Sequence, residues 1–111
     1  MTIKTTVVGQ AAILRLEGRM DAESHRAFDD ACSKAIAGGA IHIVADLSAL
    51  TYISSAGIGS FVKMAGILQK MQGEIMLAGM HGLVRDVFEL TQIVTLFRVF
   101  DSVEAALAIA P

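Results

Sequence analysis

Cysteine, clusters of basic residues and long apolar runs are all scarce in this chain, and each scarcity excludes a class of protein. Cys32 is the only cysteine, which excludes an internal disulfide and a metal site built from cysteines. The longest apolar runs are far shorter than the ~18 residues that span a bilayer. The first residues lack the apolar region of a signal peptide. We therefore expect a cytoplasmic protein without direct membrane contact.

Charge and histidine placement exclude further classes. The formal net charge is −2, and no basic stripe or arginine-rich helix occurs, so we expect no nucleic-acid partner. His25, His42 and His81 are dispersed, and no pair has metal-ligand spacing. We expect His25 to be a solvated helix residue and His42 to lie on a polar edge or face of a strand. The chain also lacks a P-loop and a Gly-x-Ser-x-Gly elbow, so we expect no metal, no cofactor and no enzyme.

Strand patterns begin at the first residues of this 111-residue chain, of which 54% are hydrophobic. Residues 2–8 are rich in β-branched side chains and residues 11–17 alternate, which predicts a hairpin turning at Gly9 and Gln10. Residues 40–45 are apolar on both faces apart from His42, which is typical of a central strand covered by helices. Further strands are predicted at residues 74–78 and 94–99.

Apolar residues at helical spacing predict three helices. We expect Gly18 to end the second strand and Asp21 to cap the first helix, with Glu23 in its first turn. Gly38 and Gly39 end that helix. The three predicted buried stripes are Phe28, Ala31, Cys32, Ala35 and Ile36; then Ile58, Phe61, Val62, Ala65, Leu68 and Met71; then Leu83, Val84, Val87, Phe88 and Leu90.

The remaining helix boundaries complete the predicted order ββαβαβαβα. The second helix is expected over about residues 56–72, with Gly73 as its C-cap. Asp101 and Glu104 have capping-box spacing and open a final helix through Ala110. A hairpin followed by alternating helices and strands predicts an α/β fold, with a mixed central sheet and about four packed helices in one domain over residues 1–111.

Ser54 and Ser55 lie where a loop is predicted to turn into the second helix. Small hydroxyl residues suit this position because the first helical N–H groups lack partners inside the helix. The same N–H groups and the helix dipole favour an anion there. No charged side chain occurs from Leu47 to Val62, so a phosphate would change this surface greatly. On local sequence alone, the favoured interpretation is that the two serines only cap the helix.

Residues 46–58 follow the pattern D-L-S-x-L-x-Y-I-S-S-A-G-I, which resembles the signature of the STAS domain family (sulphate transporter and anti-sigma factor antagonist). Residues 18–21, Gly-Arg-Met-Asp, resemble the family's loop after the second strand, and residues 100–107 resemble its last helix. The likeness thus covers almost the whole chain. It implies the same α/β fold and a bacterial single-domain anti-sigma factor antagonist.

The resemblance also implies a mechanism and a set of site residues. Ser55 matches the family's phosphoacceptor, and Ser54 is the second candidate because many members carry aspartate there. Unphosphorylated, such a protein binds an anti-sigma factor serine kinase of the GHKL type and so frees a sigma factor. That kinase phosphorylates the serine with its own ATP and magnesium, and a serine phosphatase resets the switch. The expected partner-binding residues are Met20, exposed for this purpose, Asp21, Tyr52, Ile53, Ser54, Ala56, Gly57 and Ile58.

Two other classes remain open at this point. One is a regulatory or structural STAS subunit of a transport or signalling complex, in which Ser55 need not be phosphorylated. The other is a small hydrolase with Ser55 as nucleophile. A hydrolase needs a base and an oxyanion hole, and the sequence contains no recognisable triad.

Overall fold

The computed structural model describes residues 1–109, and these form a five-stranded sheet with four α-helices. The strands are β1 (Thr2–Val8), β2 (Ala11–Met20), β3 (His42–Ile53), β4 (Glu74–Ala78) and β5 (Arg98–Phe100). The helices are α1 (His25–Ala37), α2 (Ser55–Lys70), α3 (Gly82–Leu90) and α4 (Val103–Leu107), with a 3₁₀ turn at Ile93–Leu96. The predicted mixed α/β fold and the order of strands and helices are confirmed.

The strands lie across the sheet in the order of the sequence. β1 is antiparallel to β2, whereas β2, β3, β4 and β5 are all parallel to one another. Parallel neighbours need a crossover connection, and α1, α2 and α3 supply the three crossovers. The carboxyl ends of β2 and β3 therefore meet at one end of the sheet, where α2 begins.

The main core lies between the sheet and helices α1, α2 and α3. Its centre is a cluster of phenylalanine rings. The Phe28 and Phe61 rings stack with centroids 4.3 Å apart, and Phe88 and Phe97 meet Phe61 edge-on at 5.5 and 6.2 Å. This packing holds the first two helices together and so fixes where α2 starts.

A smaller core lies on the opposite face of the sheet, where Ala106 of α4 packs near Val44 and Met76. Cys32, in the main core, is fully buried. Burial raises the pKa of its thiol to about 12, because an apolar environment disfavours the thiolate. The prediction that Cys32 lies in the buried core is confirmed.

The two strands that end beside the start of α2, β2 and β3, are both longer than predicted. Gly18 does not end β2; it adopts a φ of +99° inside the strand, where the register with β3 shifts. Such a shift lets a strand bend and continue. β3 does not stop at residue 45 but runs on to Ile53, because its second half pairs with the end of β2, with Ile53 opposite Met20.

Two helix ends also differ from prediction. α1 begins at His25 after Ser24, and Asp21 closes the turn before it rather than capping the helix. α2 ends with Met71 as its C-cap, so Gly73 is not the cap. A Cβ at Gly73 would collide with the carbonyl of Ile41. This position therefore requires glycine, because its backbone packs closely against that of Ile41.

Several residues of the predicted apolar stripes are exposed. Val62 and Met71 are 39% and 42% exposed, while Met64 is buried in their place. The face of α2 that meets the sheet is thus the one carrying Phe61, Met64 and Leu68. In α3, Val84 and Phe88 face the core. The predictions of burial for Leu83 and Leu90 are wrong, because these residues occupy the ends of that short helix.

The C-terminal elements begin later than predicted. Residues 94–99 are not one strand, since the 3₁₀ turn occupies Ile93–Leu96 and β5 starts at Arg98. Ser102 rather than Asp101 caps the last helix, and its hydroxyl oxygen accepts the Ala105 N–H at 3.1 Å. α4 ends at Leu107, and the predicted end at Ala110 lies outside the described residues.

Candidate functional site

The start of α2 lies against the last residues of β2. The Ser54 N–H donates a hydrogen bond of 2.8 Å to the Met20 carbonyl, which joins two segments that are distant in the sequence. Several residues around this contact are exposed or half-buried at this end of the sheet. We call five of them the helix-start surface; they are Arg19, Asp21, Tyr52, Ser54 and Ser55.

The two serines of this surface have different structural roles. Ser54 is the N-cap of α2, and its hydroxyl oxygen accepts the Gly57 N–H at 3.2 Å. Ser55 is the first helical residue and is exposed. Its hydroxyl has no hydrogen-bond partner within residues 1–109. The predicted position of both serines at the loop-to-helix transition is confirmed, and Ser55 is the more exposed of the two.

The packing at the start of α2 is fixed by three buried residues, Met20, Ile53 and Gly57. Met20 and Ile53 are 0% and 2% exposed, so the expectation of an exposed Met20 is wrong. Its side chain lies under α2 because β2 continues to this residue. A Cβ on Gly57 would come within 2.8 Å of Ile53 Cγ1 and 3.1 Å of Met20 Cγ. These three residues therefore position the helix and offer little side-chain area to a partner, whereas Ala56 and Ile58 are half-buried.

Asp21 organises the exposed turn between β2 and α1. Its Oδ1 accepts the N–H groups of Ser24 and Glu23 at 2.9 and 3.0 Å, and the Ser24 hydroxyl lies 2.9 Å away. These bonds favour the carboxylate, those from Ser24 most strongly, and lower the pKa of Asp21 below its ordinary value of 3.8. The result is a fixed negative charge beside the start of α2.

Arg19 adds a positive charge to the same surface. Its guanidinium carbon lies 4.2 Å from the centre of the Tyr52 ring, its neighbour on β3. The sequence analysis included Arg19 in the family-like loop but assigned it no role. Only the pairing of β2 with β3 reveals the contact, because no charged residue occurs near Tyr52 in the sequence.

His25 connects α1 to α2 just beyond this surface. Its Nδ1 lies 2.9 Å from the hydroxyl oxygen of buried Ser60 and 4.0 Å from Asp29 Oδ2. The expectation of a solvated His25 is therefore wrong. Although Ser, His and Asp also make up catalytic triads, a triad uses opposite ring nitrogens for its serine and its carboxylate. Here a single nitrogen faces both groups, and His25 contacts Ser60 rather than Ser55, so these three residues do not have the geometry of a catalytic triad.

The other histidines also have structural surroundings. His42 is only 7% exposed rather than on a polar edge, because β4 covers its strand with Glu74 opposite. The His81 Nε2 lies 2.8 Å from the Ser48 carbonyl oxygen. In the described part of the chain, no three His, Cys, Asp or Glu side chains form a group that could hold a metal ion. Among the same residues, no helix has the length and apolar character needed to cross a membrane.

Comparison with known families and sequences identifies relatives of this chain. A family model for the STAS domain matches residues 2–106. BtrV of Bordetella bronchiseptica, which carries the name of an anti-sigma factor antagonist, is 41% identical over 70 residues. That alignment covers 63% of this chain and 60% of the length of BtrV.

The fold is similar to those of solved anti-sigma factor antagonists. A crystal structure of such a protein from Mycobacterium paratuberculosis matches with a TM-score of 0.85 and 20% identity, covering 96% of this chain and 91% of the other. The phosphorylated form of SpoIIAA, a Bacillus cell fate determinant, matches with a TM-score of 0.78 and 19% identity, covering 99% and 100% of the two chains. At these identities the likeness concerns the fold.

Proposed function

Because the chain belongs to the STAS domain family, we propose that it is an anti-sigma factor antagonist controlled by phosphorylation of Ser55. Unphosphorylated, it binds a serine-kinase anti-sigma factor in the cytoplasm and releases the sigma factor held by that kinase. The kinase phosphorylates Ser55, and a serine phosphatase restores the binding form. The chain itself catalyses nothing in this cycle.

The observation that carries the proposal is the exposed hydroxyl of Ser55 at the first position of α2, which makes no hydrogen bond within residues 1–109. Ser54 already supplies the cap, so modification of Ser55 leaves the hydrogen bond to Gly57 intact. The names of the relatives support the wider assignment, since BtrV is named as an antagonist and SpoIIAA has a phosphorylated form.

A phosphate at Ser55 changes the surface more than it changes the fold. It adds about −1.5 to −2 charge at pH 7, and the free N–H groups of a helix start favour such a charge. In a desolvated interface, a charge without a partner costs about 2–5 kcal/mol. Asp21 is also negative in this region, and it adds repulsion toward any acidic group of a partner. Phosphorylation therefore weakens binding while leaving the protein folded.

The acceptor is tested by incubating the protein with its cognate kinase and ATP, followed by peptide mapping. We expect one phosphate, on Ser55, and none in the Ser55→Ala variant. Ser54→Ala is the matched control and is expected to keep its phosphate. A phosphate mapped to Ser54, or to a residue outside this pair, would overturn the assignment.

The switch is tested by calorimetric titration of two variants against the same kinase. Ser55→Ala keeps a small neutral residue and is expected to bind as the wild type does. Ser55→Asp adds one charge and is expected to bind at least tenfold more weakly, about 1.4 kcal/mol. Equal affinities for two folded variants would show that charge at this residue is not the switch. Co-purification with a membrane ATPase in place of a kinase would favour a transport-complex subunit.

A further inference from the structure

The two edge strands of the sheet differ in how well they are protected from pairing. β5 has three residues, and Arg98 on it makes two contacts of 2.7 Å with the carboxylate of Glu74. β1 has seven residues, and Lys4 is its only charged side chain. A long edge strand with few charges is a template for another strand. The β1 edge is therefore the edge of this sheet that can be extended.

A groove of about 480 Å³ runs between β1 and α1. Ile3, Thr5 and Val7 line it from the strand, and the small side chains of Ala27 and Ala31 line it from the helix. Val7 is 67% exposed and its neighbour Val8 is 50% exposed. A strand added to the β1 edge would cover the exposed valine side chain and pack against the alanines of α1.

We propose that β1 pairs antiparallel with β1 of a second copy of this chain, so that two sheets join across a two-fold axis. The strand is complementary to itself in this arrangement. With Thr5 on the axis, Ile3 lies opposite Val7 of the second copy, and Lys4 lies opposite Thr6. Ile3 and Val7 are β-branched apolar residues, which favour sheet pairing, and Lys4 meets the uncharged hydroxyl residue Thr6, so no two like charges face each other.

The charges of α1 favour the same two-fold arrangement. Asp30 and Lys34 border the groove, are both exposed, and lie one helical turn apart. Neither forms an ion pair within residues 1–109. The two-fold axis sets the two α1 helices antiparallel, and in the register that we propose Asp30 of each copy faces Lys34 of the other. Ala27, Ala31 and Ala35 line the groove from α1, and their small side chains permit close approach of the helices, which pack about 8–10 Å apart.

This contact leaves the helix-start surface free. β2 lies between β1 and β3, and β3 is the strand that leads into α2. Self-association is thus independent of the proposed phosphorylation switch, and either can fail without the other.

The contact is tested by sedimentation equilibrium from about 1 µM to about 1 mM protein, a range that covers weak specific association. The wild-type mass is expected to rise from one chain to two. Val7→Lys is expected to weaken the dimer at least tenfold. Val99→Lys, the same substitution at a 44% exposed position of β5, is the matched control and is expected to change nothing. Thermal unfolding confirms that both variants are folded.

A charge exchange tests the helix pairing. Asp30→Lys and Lys34→Asp are each expected to weaken the dimer severalfold, because both place like charges opposite each other. The double variant carrying both substitutions is expected to restore wild-type association. If the wild-type mass stays that of one chain at every concentration, the proposal is overturned. The β1 edge would then be open to a strand of another protein. A dimer lost in Val99→Lys but kept in Val7→Lys overturns it as well.

Discussion

The guanidinium of Arg19 lies over the ring of Tyr52, 4.2 Å from its centre. The two residues are paired across β2 and β3, and Tyr52 lies two positions before the N-cap of α2. The contact places a cation beside a stretch that is neutral in sequence from Leu47 to Val62. A partner that docks on the helix-start surface therefore meets both a positive Arg19 and a negative Asp21.

Arg19→Gln is expected to lower the free energy of unfolding by about 0.5–1 kcal/mol, the usual contribution of an exposed cation–π contact. The loss is expected to shrink in a Tyr52→Leu background, where the ring is absent. Arg26→Gln, on the exposed side of α1, is the control and is expected to cost less. Chemical denaturation measures all the variants. An equal cost with and without the ring would show that the contact contributes nothing.

Ser54→Ala is expected to destabilise the protein by about 1 kcal/mol, because it removes the cap bond to the Gly57 N–H. For a chain of this size, that loss lowers the melting temperature by about 4–8 °C. Ser55→Ala is expected to leave the melting temperature nearly unchanged, since its hydroxyl makes no described hydrogen bond. Calorimetry of the two variants checks this, and equal losses would contradict the separate roles of the serines.

Gly57→Ala is expected to destabilise the protein by about 1–3 kcal/mol, the usual cost of overpacking. The added Cβ would lie 2.8 Å from Ile53 Cγ1, so the start of α2 must move. Gly59→Ala is the matched control, because a Cβ there has no atom within 4 Å. It is expected to stabilise the helix by about 0.5–1 kcal/mol. A stabilising Gly57→Ala would mean that the helix start tolerates displacement.

Asp21 is expected to titrate below its ordinary value of 3.8, because the N–H and hydroxyl groups of Ser24 favour its ionised form. A lowered pKa in the folded state contributes stability above that ordinary value, and the contribution is lost as pH falls through the folded pKa. NMR titration of the carboxyl carbon in Ser24→Ala is expected to move the midpoint part of the way back toward 3.8. Ser33→Ala is the control, and a midpoint unchanged by both variants would contradict this account.

The prediction of the site succeeded where its signals were local. The serine pair was correctly placed at the start of α2, because an N-cap requirement involves only neighbouring residues. The prediction for Met20 failed, since its burial depends on β2 continuing past Gly18. The prediction for His25 failed because its partner Ser60 lies 35 residues away in the sequence. The contact of Arg19 with Tyr52 was not predicted either, because the two residues are far apart in the sequence.

The sequence by itself determined the order of strands and helices, the α/β class and the position of Ser55 at a helix start. These depend on side-chain periodicity and on the unpaired N–H groups of a helix, which act within a few residues. Only the tertiary structure decided that Met20 is buried, that His25 contacts Ser60, and that Arg19 lies beside Tyr52. These features arise from strand register and from packing between segments that the sequence keeps far apart.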